Sequence, residues 1–122
     1  RYYVYAIKYN ENIIGIPKEL FAKAVQAEGF LLKASYTRPL YMTPLYQKQV
    51  CFGDKGYPFK INSRISADTY KKGICPVTEK VEEKELLWTP LIYPPISERD
   101  IDQFIEAIFK IIKNVSSLKN KN

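Results

Sequence analysis

Hydrophobic positions at two different spacings predict the strands and helices of this chain. Residues 2–9, YYVYAIKY, are mostly β-branched and aromatic, which is typical of a β-strand. Residues 17–28, PKELFAKAVQAE, place apolar side chains at helical spacing, and Pro17 suits the first position of a helix. Gly29 is a fitting left-handed residue to end that helix.

The middle of the chain predicts a short strand followed by extended and loop segments. We expect the strand at about residues 31–36. Pro39 and Pro44 each remove a backbone donor, so the segment after the strand is predicted to be extended rather than paired in a sheet. Residues 47–73 contain loop-like stretches such as FGDKGYPFK and YKKG.

The last part of the chain predicts a helix, a strand and a longer helix. A helix can open at Pro76 and run to about residue 83, and ELLWTPLI then indicates a short strand. Ser97 and Asp100 resemble a capping box, with Asp in place of the usual Glu or Gln. The helix that follows, at about residues 98–115, carries one apolar stripe made by Ile101, Phe104, Ile105, Ile108, Ile112 and Val115.

This order of elements predicts an α+β fold, with a small, mostly antiparallel sheet of about three strands and helices on one face. In the predicted strands, the residues that face either side of the sheet are largely apolar. Helices on one face of the sheet would leave its other apolar face uncovered. The pattern therefore predicts a partner surface, either another domain or another subunit. A small core with untidy patterning is the alternative.

Composition narrows the class of protein. A chain of 122 residues with 46% hydrophobic residues is large enough for one domain with a core. No apolar stretch approaches the roughly 18–20 residues of a membrane span, so we expect no membrane partner. The chain starts without Met or a leader, which indicates a fragment and, with so few cysteines, a cytoplasmic protein.

The residue types exclude several kinds of chemistry. The chain has no histidine, so it can form neither a Ser-His-Asp nor a Cys-His arrangement. Cys51 and Cys75 have no CxxC spacing, so we expect no metal site and favour free thiols over a disulfide. The net charge of +6 is scattered among Lys and Glu pairs and the tail SSLKNKN, which indicates solvated surface rather than a nucleic-acid partner.

Several stretches, in the same order, resemble one protein family. They are YYVYAIKY, the helix and stop GIPKELFAKAVQAEGF, the segment RPLYMTPLYQ, and CPVTEKVEEKELLWTPLIYPPISERDIDQFIEAIFKII. Together they are similar to the C-terminal small domain of the DegT/DnrJ/EryC1/StrS aminotransferases, pyridoxal-phosphate enzymes of fold type I. The match covers residues 1–115 and leaves 116–122 as a flexible basic tail.

The resemblance implies transfer of an amino group from an amino acid, often glutamate or glutamine, to a keto sugar or cyclitol. RPLYMTPLY is more similar to the branch that acts on cyclitol ketones and makes aminohydroxybenzoate, and Tyr41 stands where many nucleotide-sugar members have His. Pyridoxal phosphate would be held by the family's large domain, which is absent from this sequence. The lysines here follow solvent-facing patterns, so we expect no catalytic residue and no cofactor bound by this chain alone. The implied partners are that large domain and a second subunit in a homodimer.

The resemblance also implies substrate-binding residues at the seam between the small and large domains. The candidates are Tyr36, Arg38, Tyr41 and Tyr46. Arg38 could present a planar fork to a carboxylate or phosphate, and the tyrosines offer hydroxyls and apolar faces. Alternatively, the tyrosines pack the sheet and Arg38 pairs with a surface acid. Trp88, within the ELLWTPLI strand, is expected in the core.

Two other functions are compatible with the same residues. A stand-alone interaction module could use a basic α+β surface, although its aromatics do not follow an RNA-binding sheet signature. A non-enzymatic relative could keep the small domain for assembly only.

Overall fold

The computed structural model describes residues 2–53, 55–66 and 68–119. Two of its segments pair as an antiparallel sheet. Strand β1 (Tyr5–Lys8) pairs with strand β2 (Leu86–Thr89), with Ala6 opposite Trp88 and Ile7 opposite Leu87. The described residues combine this sheet with several helices. The predicted α+β class and the antiparallel pairing are therefore confirmed.

The described residues form two compact units. The first unit contains the residues up to Tyr36 and those from Glu83 onward, and the second runs from Thr37 to Glu82. The helices of the first unit are α1 (Glu11–Ile14), α2 (Lys18–Ala27), α5 (Glu98–Lys113) and α6 (Val115–Lys119). The second unit has α3 (Pro44–Lys48), α4 (Pro76–Lys80) and two 3-10 turns, Leu40–Met42 and Phe59–Ile61. A π-helical turn, Val81–Glu85, follows α4 directly.

The third strand that the sequence predicts at residues 31–36 is reduced to one bridge, between Lys33 and Trp88. Side chains of β2 donate hydrogen bonds to two backbone carbonyls near this bridge. The Thr89 hydroxyl donates to the Leu31 carbonyl at 2.7 Å, and the Trp88 indole N–H donates to the Ser35 carbonyl at 2.8 Å. Residue 90, opposite Leu31, is a proline without an N–H for the ladder, so pairing does not extend past the bridge on that side.

The core of the first unit lies between α2, α5 and one face of the sheet. Phe21 and Val25 of α2 pack with Leu87 of β2, and α5 adds Phe104 and Ile111. The predicted placement of helices on one face holds for α2 and α5. The helix predicted to start at Pro76 lies in the second unit instead.

The helix ends follow the local signals in the sequence. Pro17 precedes α2, and Gly29 after it has φ of +97°, the left-handed conformation expected for a helix stop. The capping box at the start of α5 is present, because the Ser97 hydroxyl accepts from the Asp100 amide and the Asp100 carboxylate accepts from the Ser97 amide. Helix α5 ends at Lys113, and residues 120–122 of the expected tail lie outside the described residues.

Some local predictions were wrong. The segment around Pro39 and Pro44 is not extended, because Pro44 occupies the first position of α3 and a 3-10 turn precedes it. Lys18 does not face solvent: its residue is only 3% exposed at the start of α2. Trp88 is half-buried, since alternation along β2 directs Leu87 into the core and Trp88 to the opposite face.

Candidate functional site

An aromatic patch lies on the outer face of the sheet in the first unit. We call it the tyrosine patch, and it consists of Tyr3, Tyr36, Trp88 and Tyr93. The Tyr36 and Trp88 ring centroids are 5.2 Å apart with the planes at 73°, and Tyr3 meets Tyr36 edge-on at 6.5 Å. The Tyr93 hydroxyl donates to the Tyr3 carbonyl. These contacts join residues from the two chain segments of the first unit into one surface.

Backbone contacts fix the orientation of the patch. The hydrogen bond from the Trp88 indole to the Ser35 carbonyl holds the ring beside the chain that leads to Tyr36. The Lys33 ammonium lies 5.0 Å from the centre of the Trp88 ring, within the range of a cation–π contact. The pKa of Tyr36 is raised, first because its hydroxyl is hydrogen-bonded to the Tyr3 side chain and then by partial desolvation.

The patch is open to solvent. Tyr3 is 74% exposed and Tyr36 is 45% exposed, so much of both side chains is accessible to solvent. Contiguous exposed aromatic surface is characteristic of binding sites, because it contributes much apolar area with little loss of side-chain entropy. With Lys33 beside it, the patch can bind an apolar or anionic surface. It holds no acid–base pair for catalysis.

The predicted substrate-binding residues belong to two different units. Tyr36 belongs to the tyrosine patch in the first unit, whereas Arg38, Tyr41 and Tyr46 belong to the second unit. Arg38 is exposed, and no salt bridge to it is found within the described ranges. A substrate-binding role for these residues stays a prediction.

Tyr41 and Tyr46 make contacts inside the second unit. The Tyr41 hydroxyl donates to the Glu79 carboxylate, which also accepts from the Gly73 amide at 2.6 Å. These hydrogen bonds, with that from Tyr41 first, lower the pKa of Glu79. The Tyr46 ring stacks edge-on at 5.1 Å from the Tyr70 ring and 5.8 Å from the Phe59 ring.

Gln47 links these two parts of the second unit. Its amide nitrogen donates to the Tyr41 carbonyl at 2.6 Å and to the Tyr70 carbonyl at 2.5 Å. The polar contact around Glu79 and the aromatic cluster around Tyr46 are thereby connected. The run RPLYMTPLYQ is thus bonded to residues more than twenty positions later in the chain.

An apolar groove of about 690 Å³ lies in the first unit. It is lined by Tyr5, Ile7, Gly29, Phe30, Thr89, Leu91, Ile92, Ile96, Asp100, Ile101, Phe104, Ile105 and Ile108. Pyridoxal phosphate needs a lysine for its aldehyde and donors for its phosphate. Neither Lys nor Arg lines the groove, so its residues do not fit that cofactor.

The described residues also bear on metal binding and on membrane insertion. No cluster of Cys, Asp and Glu there could hold a metal ion. None of the helices described is both long enough and apolar enough to cross a bilayer.

Sequence reasoning missed Tyr3 and Tyr93 as members of the patch. Strand alternation does not point to Tyr3, because it puts Tyr3 in phase with Ile7, which is opposite the core residue Leu87 rather than Trp88. Nothing in the sequence indicated that Tyr93 would reach the Tyr3 carbonyl either.

Comparisons with protein-family models, curated proteins and solved structures found no match to this chain.

Proposed function

We propose that this chain is the C-terminal small domain of a pyridoxal-phosphate-dependent aminotransferase of the DegT/DnrJ/EryC1/StrS type. The complete enzyme transfers an amino group from an amino acid, such as glutamate or glutamine, to a keto sugar or cyclitol in the cytoplasm. The chain supplies the substrate-side lid and contacts to the large domain and to a second subunit. It is inactive on its own.

The tyrosine patch is the observation that carries this proposal. Tyr3 and Tyr36 expose aromatic area beside the half-buried Trp88 of β2, and a covering domain would bury that area. Tyr36 stands two residues before RPLYMTPLYQ, the stretch that resembles the family's seam segment. The patch therefore supports a large domain docked on this face, with Tyr36 at the boundary.

The cofactor belongs to the large domain in this proposal. Pyridoxal phosphate supplies the electron sink that makes the transfer of the amino group possible. The contribution of this chain is to cover the substrate, to exclude water and to place side chains at the seam. No step of the reaction is assigned to its own residues.

The free thiols agree with a reducing compartment. Cys51 and Cys75 are both exposed and unpaired with each other. Exposed thiols of this kind are common in cytoplasmic proteins, where disulfides are rare.

The reading frame upstream of Arg1, together with the intact mass of the native protein, tests the proposal. A longer product with a lysine in a pyridoxal-phosphate setting would support it. A start codon directly before Arg1 and a mass near 14.2 kDa would overturn it. The free chain mixed with pyridoxal phosphate should show no Schiff-base absorbance above that of a lysine-matched unfolded control.

A stand-alone interaction module is the second candidate, and the same exposed patch favours it. This candidate predicts a partner that buries Tyr3 and Tyr36 and quenches or shifts the fluorescence of Trp88, the single tryptophan. A native mass near 14.2 kDa would favour it over the enzyme. A longer native product without the cofactor lysine would instead indicate a non-enzymatic relative.

A further inference from the structure

Strand β1 has one edge without a backbone partner. Its other edge pairs with β2, and the Tyr9 amide continues that pairing by donating to the Glu85 carbonyl at 2.7 Å. Successive residues of an antiparallel strand bond to opposite edges, so Ile7 bonds to β2, whereas Ala6 and Lys8 direct their N–H and C=O groups away from it. Within the described part of the chain, neither Ala6 nor Lys8 has a backbone hydrogen bond beyond this ladder. Both residues are exposed.

Strand β2, in contrast, is paired on both edges. Trp88 lies opposite Ala6 and exchanges two backbone hydrogen bonds with Lys33, each at 2.9 Å, on the side of β2 that faces away from β1. The open edge of this sheet is therefore that of β1.

Uncovered apolar surface of α5 lies beside β1. We call it the α5 ridge, and it consists of Ile101 (42% exposed), Ile105 (43%) and Ile112 (38%). Ile101 and Ile105 line the apolar groove together with Tyr5 and Ile7 of β1. Ile112 lines a second, smaller hollow with Ile7. The ridge thus borders β1 on the face of the sheet that carries the core.

The α5 ridge points away from α2. The Lys110 ammonium lies 2.7 Å from the carboxylate of Glu28, the residue after α2, so this side of α5 faces α2. At about 100° per residue, Ile101 and Ile105 lie roughly 180° and 140° around the helix from Lys110. A strand added next to β1 would therefore lie over the side of α5 that α2 leaves uncovered.

We propose that the open edge of β1 binds an extended segment of another polypeptide, which adds a strand to the sheet. The backbone of the segment bonds to Ala6 and Lys8, and every second side chain covers the α5 ridge. Those side chains should be apolar, because the groove beneath them is apolar and its charged residue, Asp100, is already hydrogen-bonded to Ser97. The intervening side chains lie on the face of Lys8, whose side chain is 80% exposed, and should be polar.

The edge and the ridge together select an extended segment. A helix could cover the ridge, but its own backbone bonds are internal, so it would leave Ala6 and Lys8 unpaired. A second copy of this chain fits less well, because a two-fold axis that relates two β1 strands also brings two α5 helices together. The exposed Glu106, near the middle of α5, would then face its own copy. The inference uses only β1 and α5, so it goes beyond the proposed function and does not depend on it.

Nuclear magnetic resonance of the ¹⁵N-labelled full chain tests the proposal, with a synthetic peptide of about seven residues that alternates Val and Thr as the probe. We expect the peptide to protect the amides of Ala6 and Lys8 from hydrogen exchange. The Ile7 amide, already bonded to β2, is the internal control and should keep its protection. A peptide that does not bind at up to about 1 mM, or binds without protecting Ala6 and Lys8, would overturn the proposal. Protection that appears without peptide and rises with chain concentration would place a second copy at the edge and would also overturn it.

Two methylated peptides test the backbone pairing without altering the protein. One carries N-methyl groups on its Val residues and the other on its Thr residues, so each loses the amide donors of one edge only. One of them should bind like the parent peptide, and the other should bind at least tenfold more weakly, because a single edge of the segment faces β1. Equal affinities for the two methylated peptides would contradict strand addition.

A matched pair of variants tests the α5 ridge. Ile105→Asp should weaken peptide binding at least tenfold, because it places a carboxylate beneath the apolar side chains of the added strand. Gln103→Asp introduces the same charge about 160° around the helix from Ile105 and should leave the affinity unchanged. Circular dichroism checks that both variants are folded. Wild-type affinity in a folded Ile105→Asp variant would show that the ridge is not covered by the segment and would overturn the proposal.

Discussion

The Tyr41 hydroxyl donates a hydrogen bond to the carboxylate of Glu79, 38 residues further along the chain. With the amide of Gly73, this contact gives the buried carboxylate two donors. The bond ties the proline-containing segment to α4 within the second unit. Tyr41 therefore has a structural task that is independent of any substrate.

We expect acid to destabilise the second unit through Glu79. Its pKa is lowered in the fold, so its contribution is present above the unfolded carboxyl pKa near 4.5 and is lost as pH falls through the lower folded value. Thermal melts followed by near-ultraviolet circular dichroism between about pH 2 and 7 should show this loss. Glu79→Gln should flatten that pH dependence, whereas Asp68→Asn, at an exposed carboxylate of the same unit, is the control and should leave it unchanged. Equal pH profiles for wild type and Glu79→Gln would refute the assignment.

Tyr9 should ionise only at strongly alkaline pH. Burial, followed by the charges of Glu11 and Glu19, raises its pKa to about 12, and its hydroxyl donates to the Ile16 carbonyl at 2.6 Å. Since the folded pKa is above the unfolded value near 10, this stabilisation is complete below pH 10 and disappears as pH rises through 12. Absorbance at about 295 nm reports tyrosinate, and Tyr9→Phe should remove the late component. A late component that survives Tyr9→Phe would contradict this.

Two neighbouring leucines provide a matched test of the core. Leu32 is fully buried, whereas Leu31 is 42% exposed. Leu32→Ala should lower the free energy of unfolding by about 2–5 kcal/mol, because it leaves a cavity in the first unit. Leu31→Ala should cost under about 1 kcal/mol. Urea denaturation measures both, and similar losses for the two variants would show that the burial is misassigned.

The start of α5 depends on the Ser97 cap. Ser97→Ala removes the acceptor for the Asp100 amide and should lower the free energy of unfolding by about 1 kcal/mol. Ser97→Asn keeps a capping oxygen and should retain most of the stability. Chemical denaturation with helical circular dichroism distinguishes the two. An unchanged Ser97→Ala midpoint would mean that the cap contributes little here.

Arg38 should affect substrate use in the complete enzyme that we propose. If its guanidinium binds substrate at the seam, Arg38→Ala should lower kcat/KM by a factor of about ten or more. Arg64→Ala, at another exposed arginine of the second unit, is the control and should leave kcat/KM near the wild-type value. An unchanged kcat/KM for Arg38→Ala would remove Arg38 from the site.

The sequence determined the features that depend on near neighbours in the chain. The start and stop of α2, the Ser97–Asp100 capping box and the apolar periodicity of α5 follow from residues within about one turn of each other. The α+β class followed from the same local patterns. These predictions were accurate because backbone hydrogen bonds at helix ends are satisfied locally.

Only the tertiary structure decided which apolar residues are covered. The third strand is reduced to one bridge with long-range side-chain bonds from Thr89 and Trp88 on either side, and a contact across 38 positions gave Tyr41 its partner. The apolar stripe of α5 divided into a buried side and an exposed ridge, although its sequence pattern is continuous. Burial depends on what lies opposite a side chain in space, and hydrophobic spacing along one element does not contain that information.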